Sequence, residues 1–165
     1  MTLTLPISSW RWYGAAVLAL LLDQATKGVI ANTFVLAEQV PVSAFFNLVY
    51  VLNPGAAFSF LAEAGGWQRY FFVLLTLLVS AWLVHMLRMQ RPRYESLGLS
   101  LMLGGALGNG LDRITTGMVV DFLDFHWRGM HWPAFNLADV FLSTGVSLLL
   151  WSTFRERPSQ TRSTP

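Results

Sequence analysis

Two aspartates sit where a carboxylate is costly. Asp121 follows Val119-Val120 and precedes Phe122-Leu123, and Asp139 stands at the mouth of the apolar run from Val140 to Trp151. Alone, Asp139 is explained by the dipole at the start of a helix, with Asn136 three residues earlier as the N-cap. Together the two suggest more. Carboxylates sharing a dry site cannot both ionise cheaply, so one keeps a proton and the other stays a base. Such a pair can take a proton from water and protonate a leaving group, which is the chemistry of aspartic peptide hydrolysis. If residues 119–123 are extended, Val119, Asp121 and Leu123 share one side and Asp124 points the other way, towards water or headgroups. A helical segment would instead bring Asp121 and Asp124 together. Rival chemistries fit less well. The chain has no cysteine. A Ser–Lys dyad would need Lys27, the single lysine, which lies four residues after Asp23 and can pair with it on one helix face. A zinc site could recruit His126 and His131, but there is no HExxH motif.

Other polar residues cluster in "GGALGNGLDR", 104–113. The small residues at 104, 105, 106 and 108 allow helix backbones to approach closely. Asn109, Asp112 and Arg113 fall within about one helical turn. They read either as a helix end closed by a local Asp112–Arg113 pair or, for Asn109 and Arg113, as donors that hold a peptide backbone.

These residues need a membrane to position them. Hydrophobic residues make up 54% of the 165-residue chain and charged residues only 12%, too few charges for a soluble domain of this length. The net charge of +2 and the absence of a basic stripe give no sign of nucleic-acid binding. Four stretches suit helices that cross a bilayer, at about 12–30, 67–87, 97–114 and 139–154, the third weaker and Gly-rich. The first resembles a cleavable signal peptide, but Asp23 and Lys27 lie inside it and no clean cleavage site follows. The positive-inside rule puts Arg11, the Arg88-Arg91-Arg93 loop and the Arg155-Arg157-Arg162 tail in the cytoplasm, hence both termini. The connections at 31–66 and 115–138 then face outward. "FFNLVYVL" and "GMVVDFLDFHW" have strand composition, Asn53-Pro54-Gly55 reads as a turn, and "LAEAGGWQRYFF" suits a short interfacial helix. The expected fold is a mainly α membrane protein, one domain over 1–154 with four transmembrane helices, a small outer β-cradle and a disordered 155–165 tail. A proton-linked carrier using Asp23, Lys27 and Asp139 would spread charge across the membrane, whereas the polar groups gather at one end. A catalytically dead assembly factor would lack one of the two aspartates.

Five motifs occur in order: "LDQATK" in the first helix, "NPGAAFSF" at 53–60, "GGALGNGLDR", "VVDF" at 119–122 and "FNLAD" at 135–139. Together with the four-helix hydropathy they resemble the bacterial lipoprotein signal peptidases, or signal peptidase II. The resemblance implies an inner-membrane aspartic endopeptidase without metal or cofactor. It implies cleavage of diacylglyceryl-modified prolipoproteins immediately before the lipidated cysteine, by a monomer whose other partners are membrane lipids. Carried over residue by residue, it makes Asp121 and Asp139 the catalytic pair. It assigns Asn53, Gly55, Asn109, Arg113 and Asn136 to substrate binding, and Asp23, Lys27 and Asp112 to support. Two positions depart from the pattern: Pro54 where Ser or Thr is frequent, and Gly110 where a larger apolar residue is usual.

Overall fold

The least apolar helix is the one the others pack on. In the computed structural model, which describes residues 7–55 and 65–155, the helices are α1 (Ile7–Thr33), α2 (Gln68–Leu87), α3 (Arg93–Thr115) and α4 (Leu137–Arg155). Residues 10–33, α2 and α4 are each long and apolar enough to cross a membrane. Helix α3 falls short of that hydropathy but packs against all three of the others. Its glycines explain how. A Cβ on Gly104 would lie 2.5 Å from the Ala16 carbonyl oxygen, and one on Gly105 would lie 2.5 Å from that of Ala138. Gly98 faces Gly145 of α4 in the same way. Gly110, the family departure, lies where a side chain would run into Thr76 of α2. A glycine here is a packing requirement, and its helix penalty of about 1 kcal/mol is offset by that close approach. Towards the other end Ala16, Leu83, Leu87, Leu99 and Leu103 form a buried apolar cluster.

Helix limits differ from the hydropathy reading at four ends, one of them the C-terminus of α1, which runs to Thr33 rather than about 30. Helices α1, α3 and α4 begin at Ile7, Arg93 and Leu137 rather than near 12, 97 and 139. Helical hydrogen bonding continues past the hydrocarbon slab, so polar first turns such as Arg93-Tyr94-Glu95 go unseen by an apolar count. Helix α3 starts where Pro92 allows it, because proline has no amide to leave unpaired. Of the interfacial helix expected at 61–72, residues 61–64 lie outside the described residues, 65–67 form a turn, and Gln68 onwards belongs to α2. The tail beyond Arg155 is likewise outside them.

The two long connections form one antiparallel sheet in the order β1-β2-β3-β4: β1 (Gln39–Ser43), β2 (Phe46–Asn53), β3 (Val119–Trp127) and β4 (Met130–His131). Val51 pairs with Asp121 and Asn53 with Val119, after an irregularity between Leu48 and Val51. Val120 and Phe122 pack with Ile30 of α1, which seats the sheet on the helix ends. A two-residue turn, Arg128 (φ 51°) and Gly129 (φ 81°), joins β3 to β4 with both central residues left-handed, as tight hairpins require. The chain then folds back along β3. Phe135 accepts the amides of Phe122 and Leu123 at 3.0 and 2.8 Å and donates its own to Leu123 at 3.1 Å. That fold-back delivers Asn136 and the start of α4 to the side of Asp121.

Candidate active site

Strand alternation decides where the acids of β3 go. Asp121 and Asp124 lie on opposite faces, as the extended reading requires, but Asp124 does not face water. It is buried, accepting Asn47 Nδ2 at 2.7 Å and bonded to His131 Nδ1 at 2.9 Å, because β2 and the β3–β4 hairpin cover that face. Burial alone would raise its pKa, but the hydrogen bonds from Asn47 and His131 outweigh it and hold the carboxyl below the usual aspartate range.

Asp121 and Asp139 line one cavity of about 680 Å³. Asn53, Asn109, Arg113, the Trp132–Phe135 segment and the α4 residues Val140, Ser143 and Thr144 also line it. Its polar end holds the two acids, Val51, Leu52 and Trp132–Phe135 give it an apolar wall, and the α4 side mixes Val140 and Leu142 with Ser143 and Thr144. Asn136 caps α4, its Oδ1 accepting the Asp139 amide at 3.1 Å. Asp139 returns the contact by accepting the Asn136 amide at 3.2 Å, so the pair forms a reciprocal capping box. The Asp139 carboxyl thus sits in the first turn of α4, at the positive end of the helix dipole.

Three asparagine amides hold the two carboxylates. Asp121 accepts Asn136 Nδ2 at 2.7 Å and Asn53 Nδ2 at 3.0 Å, and Asp139 accepts Asn109 Nδ2 at 2.9 Å. Asn136 Nδ2 also reaches Asn109 Oδ1 at 3.1 Å, which links the two acids through two side chains. An amide can turn over, so each orientation needs a cause. In all three the oxygen is occupied by a group that can only donate. Lys27 Nζ lies 2.8 Å from Asn109 Oδ1, the Gly55 amide 2.9 Å from Asn53 Oδ1, and the Asp139 amide takes Asn136 Oδ1. The NH₂ groups are thereby turned towards the carboxylates.

Lys27 ties this arrangement to the helices. Its three protons are matched by three acceptors, each at 2.8 Å: Asp23 Oδ2, Asp112 Oδ2 and Asn109 Oδ1. Asp23 Oδ1 accepts the amide of Ala138 at 2.8 Å and so docks the first turn of α4 on α1. Asp112 Oδ2 receives the Val120 amide at 3.4 Å, next to Asp121. Gln24, not among the expected site residues, donates to Asp112 Oδ1 at 2.9 Å and to the Gly108 carbonyl at 3.2 Å. Its polarity inside an apolar run was the available signal. Asp112 therefore serves Lys27, and the local Asp112–Arg113 pair is replaced. Arg113 instead donates to the carbonyls of Gly55 at 2.7 Å and Asn109 at 3.1 Å, stacks over Phe72, and keeps a buried Nε without a partner among the described residues.

Of the expected site residues, Asn53, Asn109 and Arg113 line the cavity with the two acids. Asn136 is fully buried between the acids, and Gly55 is buried with its carbonyl held by Arg113. Asp23, Lys27 and Asp112 form the layer beneath. Burial, opposed by the Asn53 hydrogen bond and reinforced by the charge of Asp139, pushes the Asp121 carboxyl up to about 6.

This arrangement has close counterparts. A family profile described as Signal peptidase (SPase) II matches residues 15–155. The lipoprotein signal peptidase of Aeromonas hydrophila is 48% identical over 158 residues, covering 94% of this chain and 95% of that protein. That of Cupriavidus necator is 52% identical over 145 residues, covering 87% and 83%. A bacterial membrane enzyme solved by the in meso method superposes with a TM-score of 0.82 at 31% identity, covering 94% of both chains. A second superposes at 0.77 with 32% identity, covering 88% of this chain and 94% of that one. The chain belongs to the signal peptidase II family, the lipoprotein signal peptidases.

Proposed function

We propose that Asp121 and Asp139 are the catalytic pair with which this lipoprotein signal peptidase cleaves the signal peptide from prolipoproteins. The observation that carries the assignment is that both acids open into one cavity and are joined through the locked amides of Asn136 and Asn109. Asp121, the more buried acid with its carboxyl raised to about 6, holds the shared proton. Asp139, capped and at a helix N-terminus, is the base. Asp139 takes a proton from water as the oxygen adds to the scissile carbonyl carbon, and Asp121 gives its proton to the carbonyl oxygen. On collapse the C–N bond breaks, Asp139 protonates the departing amine, and Asp121 recovers a proton from the diol.

The cut falls before a cysteine that carries a diacylglyceryl group, and the apolar lining of the cavity, with Val140 and Leu142 of α4 on one side and Trp132–Phe135 on the other, receives the lipid. Asn53 and Arg113 face the signal-peptide backbone, while Asn136 and Gly55 act from behind it. Lys27, Asp23 and Asp112 position. The enzyme works as a monomeric single domain in the inner membrane with both termini cytoplasmic, as the arginines at 11, 88–93 and 155–162 favour. The test is cleavage of a lipidated precursor by purified protein. Asp121→Asn and Asp139→Asn should each lower the rate by about 10²–10⁴-fold while the protein still inserts in the membrane. Normal processing by either variant would sink the assignment.

A further inference from the structure

The end of the sheet farthest from the site carries a surface that the cleavage reaction does not use. The β1–β2 and β3–β4 turns lie together there, since the His126 amide donates to the Phe45 carbonyl at 2.9 Å and Phe46 pairs with Phe125. Their apolar side chains point outward. Trp127 is 64% exposed and Met130 72%, and Phe45 and Phe125 are exposed beside them. Water-facing turns do not normally collect such residues.

The exposed charge at this end is positive. Arg128 is exposed at the tip, and His126 and His131 stack on each other beside it with centroids 5.0 Å apart. The nearby acid, Asp124, is 5% exposed beneath Asn47 and His131. Arg128 also occupies a left-handed position (φ 51°) where Asn, Asp or Gly is preferred, so turn geometry does not account for an arginine there. A tryptophan and a methionine flanking an arginine match the layering of a bilayer surface, with aromatic rings at headgroup level and guanidinium on phosphate. Three of the helices are long and apolar enough to span a bilayer, and the sheet is seated on the end of one of them through Val120, Phe122 and Ile30.

We propose that the Trp127–Met130 turn is a membrane anchor, seated in the headgroup layer of an anionic phospholipid leaflet with Arg128 on lipid phosphates. The sheet then lies over the leaflet instead of standing away from it. The same hairpin continues into Trp132–Phe135, the cavity wall, so the anchor holds that wall at the membrane surface. The inference stands apart from the catalytic roles proposed above.

The chain has no cysteine, so a nitroxide on Met130→Cys is the only label in an otherwise native protein. The full chain is placed in nanodiscs of phosphatidylethanolamine and phosphatidylglycerol, and collision of the label with oxygen is compared with collision with a water-soluble nickel chelate. The label should favour oxygen several-fold. Adding Arg128→Gln, or replacing phosphatidylglycerol with a zwitterionic lipid, should reduce that preference. A label open to the nickel chelate in the anionic discs overturns the proposal. So does a preference that survives both changes.

Discussion

Lys27→Met offers the sharpest test of how the site is held. The ammonium lies 2.8 Å from each of two carboxylates and one amide oxygen, and it is 3% exposed. Methionine fills similar space but leaves Asp23 and Asp112 buried without their counter-ion. Removing one partner of a buried ion pair costs about 3–5 kcal/mol. That is a large part of a typical stability of about 5–15 kcal/mol. The Asn109 amide also loses the donor that fixes its orientation towards Asp139. A hydrogen bond from a charged group contributes about 1.5–3 kcal/mol, and its loss at the dyad would slow cleavage by about 10- to 150-fold. The assay pairs tryptophan-detected unfolding with single-turnover cleavage of a lipidated precursor. Lys27→Met with Asp23→Asn removes one of the two unpaired charges and leaves Asp112 and the amide defect, so it should recover part of the stability and little of the rate. Wild-type stability in Lys27→Met would refute the ion-pair argument. A double variant that cleaves at the wild-type rate would refute the orientation argument.

Asn136→Ser keeps an oxygen to cap α4 but has no amide for Asp121, so unfolding should change by less than about 1 kcal/mol while cleavage falls by about 10²-fold. A protein whose melting and activity drop together would show that Asn136 serves only the helix. Because burial raises Asp121 to about 6, its singly protonated pair is lost above that pH, and kcat/KM should decline on the alkaline side of about 6. An acidic limb there would instead make Asp121 the base. The same raised value means the native state keeps this proton longer than the unfolded chain does. Its contribution to stability should fall as pH rises from about 4 to about 6 and then level off, a slope absent from Asp121→Asn. Gly105→Ala would press a methyl on the Ala138 carbonyl and should destabilise by about 1–3 kcal/mol, whereas Gly28→Ala meets nothing within 4 Å and should not, both read by thermal unfolding.

Much of the fold is legible along the chain because the bilayer demands it. Spans must be apolar and internally hydrogen-bonded, so hydropathy finds α1, α2 and α4 directly. Helix α3 is harder to see: its glycines lower its hydropathy for the same reason that they let three helices close on it. The sheet is visible as β-branched and aromatic composition, but its order and register are not, because pairing depends on which strands the helix ends bring together.

For the site, residue type and local setting single out Asp121 and Asp139, since a carboxylate in apolar company is conspicuous wherever it occurs. Asn136 as a cap and the Asp23–Lys27 pair are also local, fixed by spacings of three and four residues. What only the tertiary structure decides is the contacts between elements. Asp112 turns to Lys27 and away from Arg113, Asp124 is buried by Asn47 and His131, and Asn136 lies between the two acids. The sequence by itself thus determines which residues are too polar for their surroundings, because burial cost depends on the neighbouring residues. Which donor answers each of them is decided in three dimensions, because a buried carboxylate takes whatever N–H groups the folded chain brings within about 3 Å.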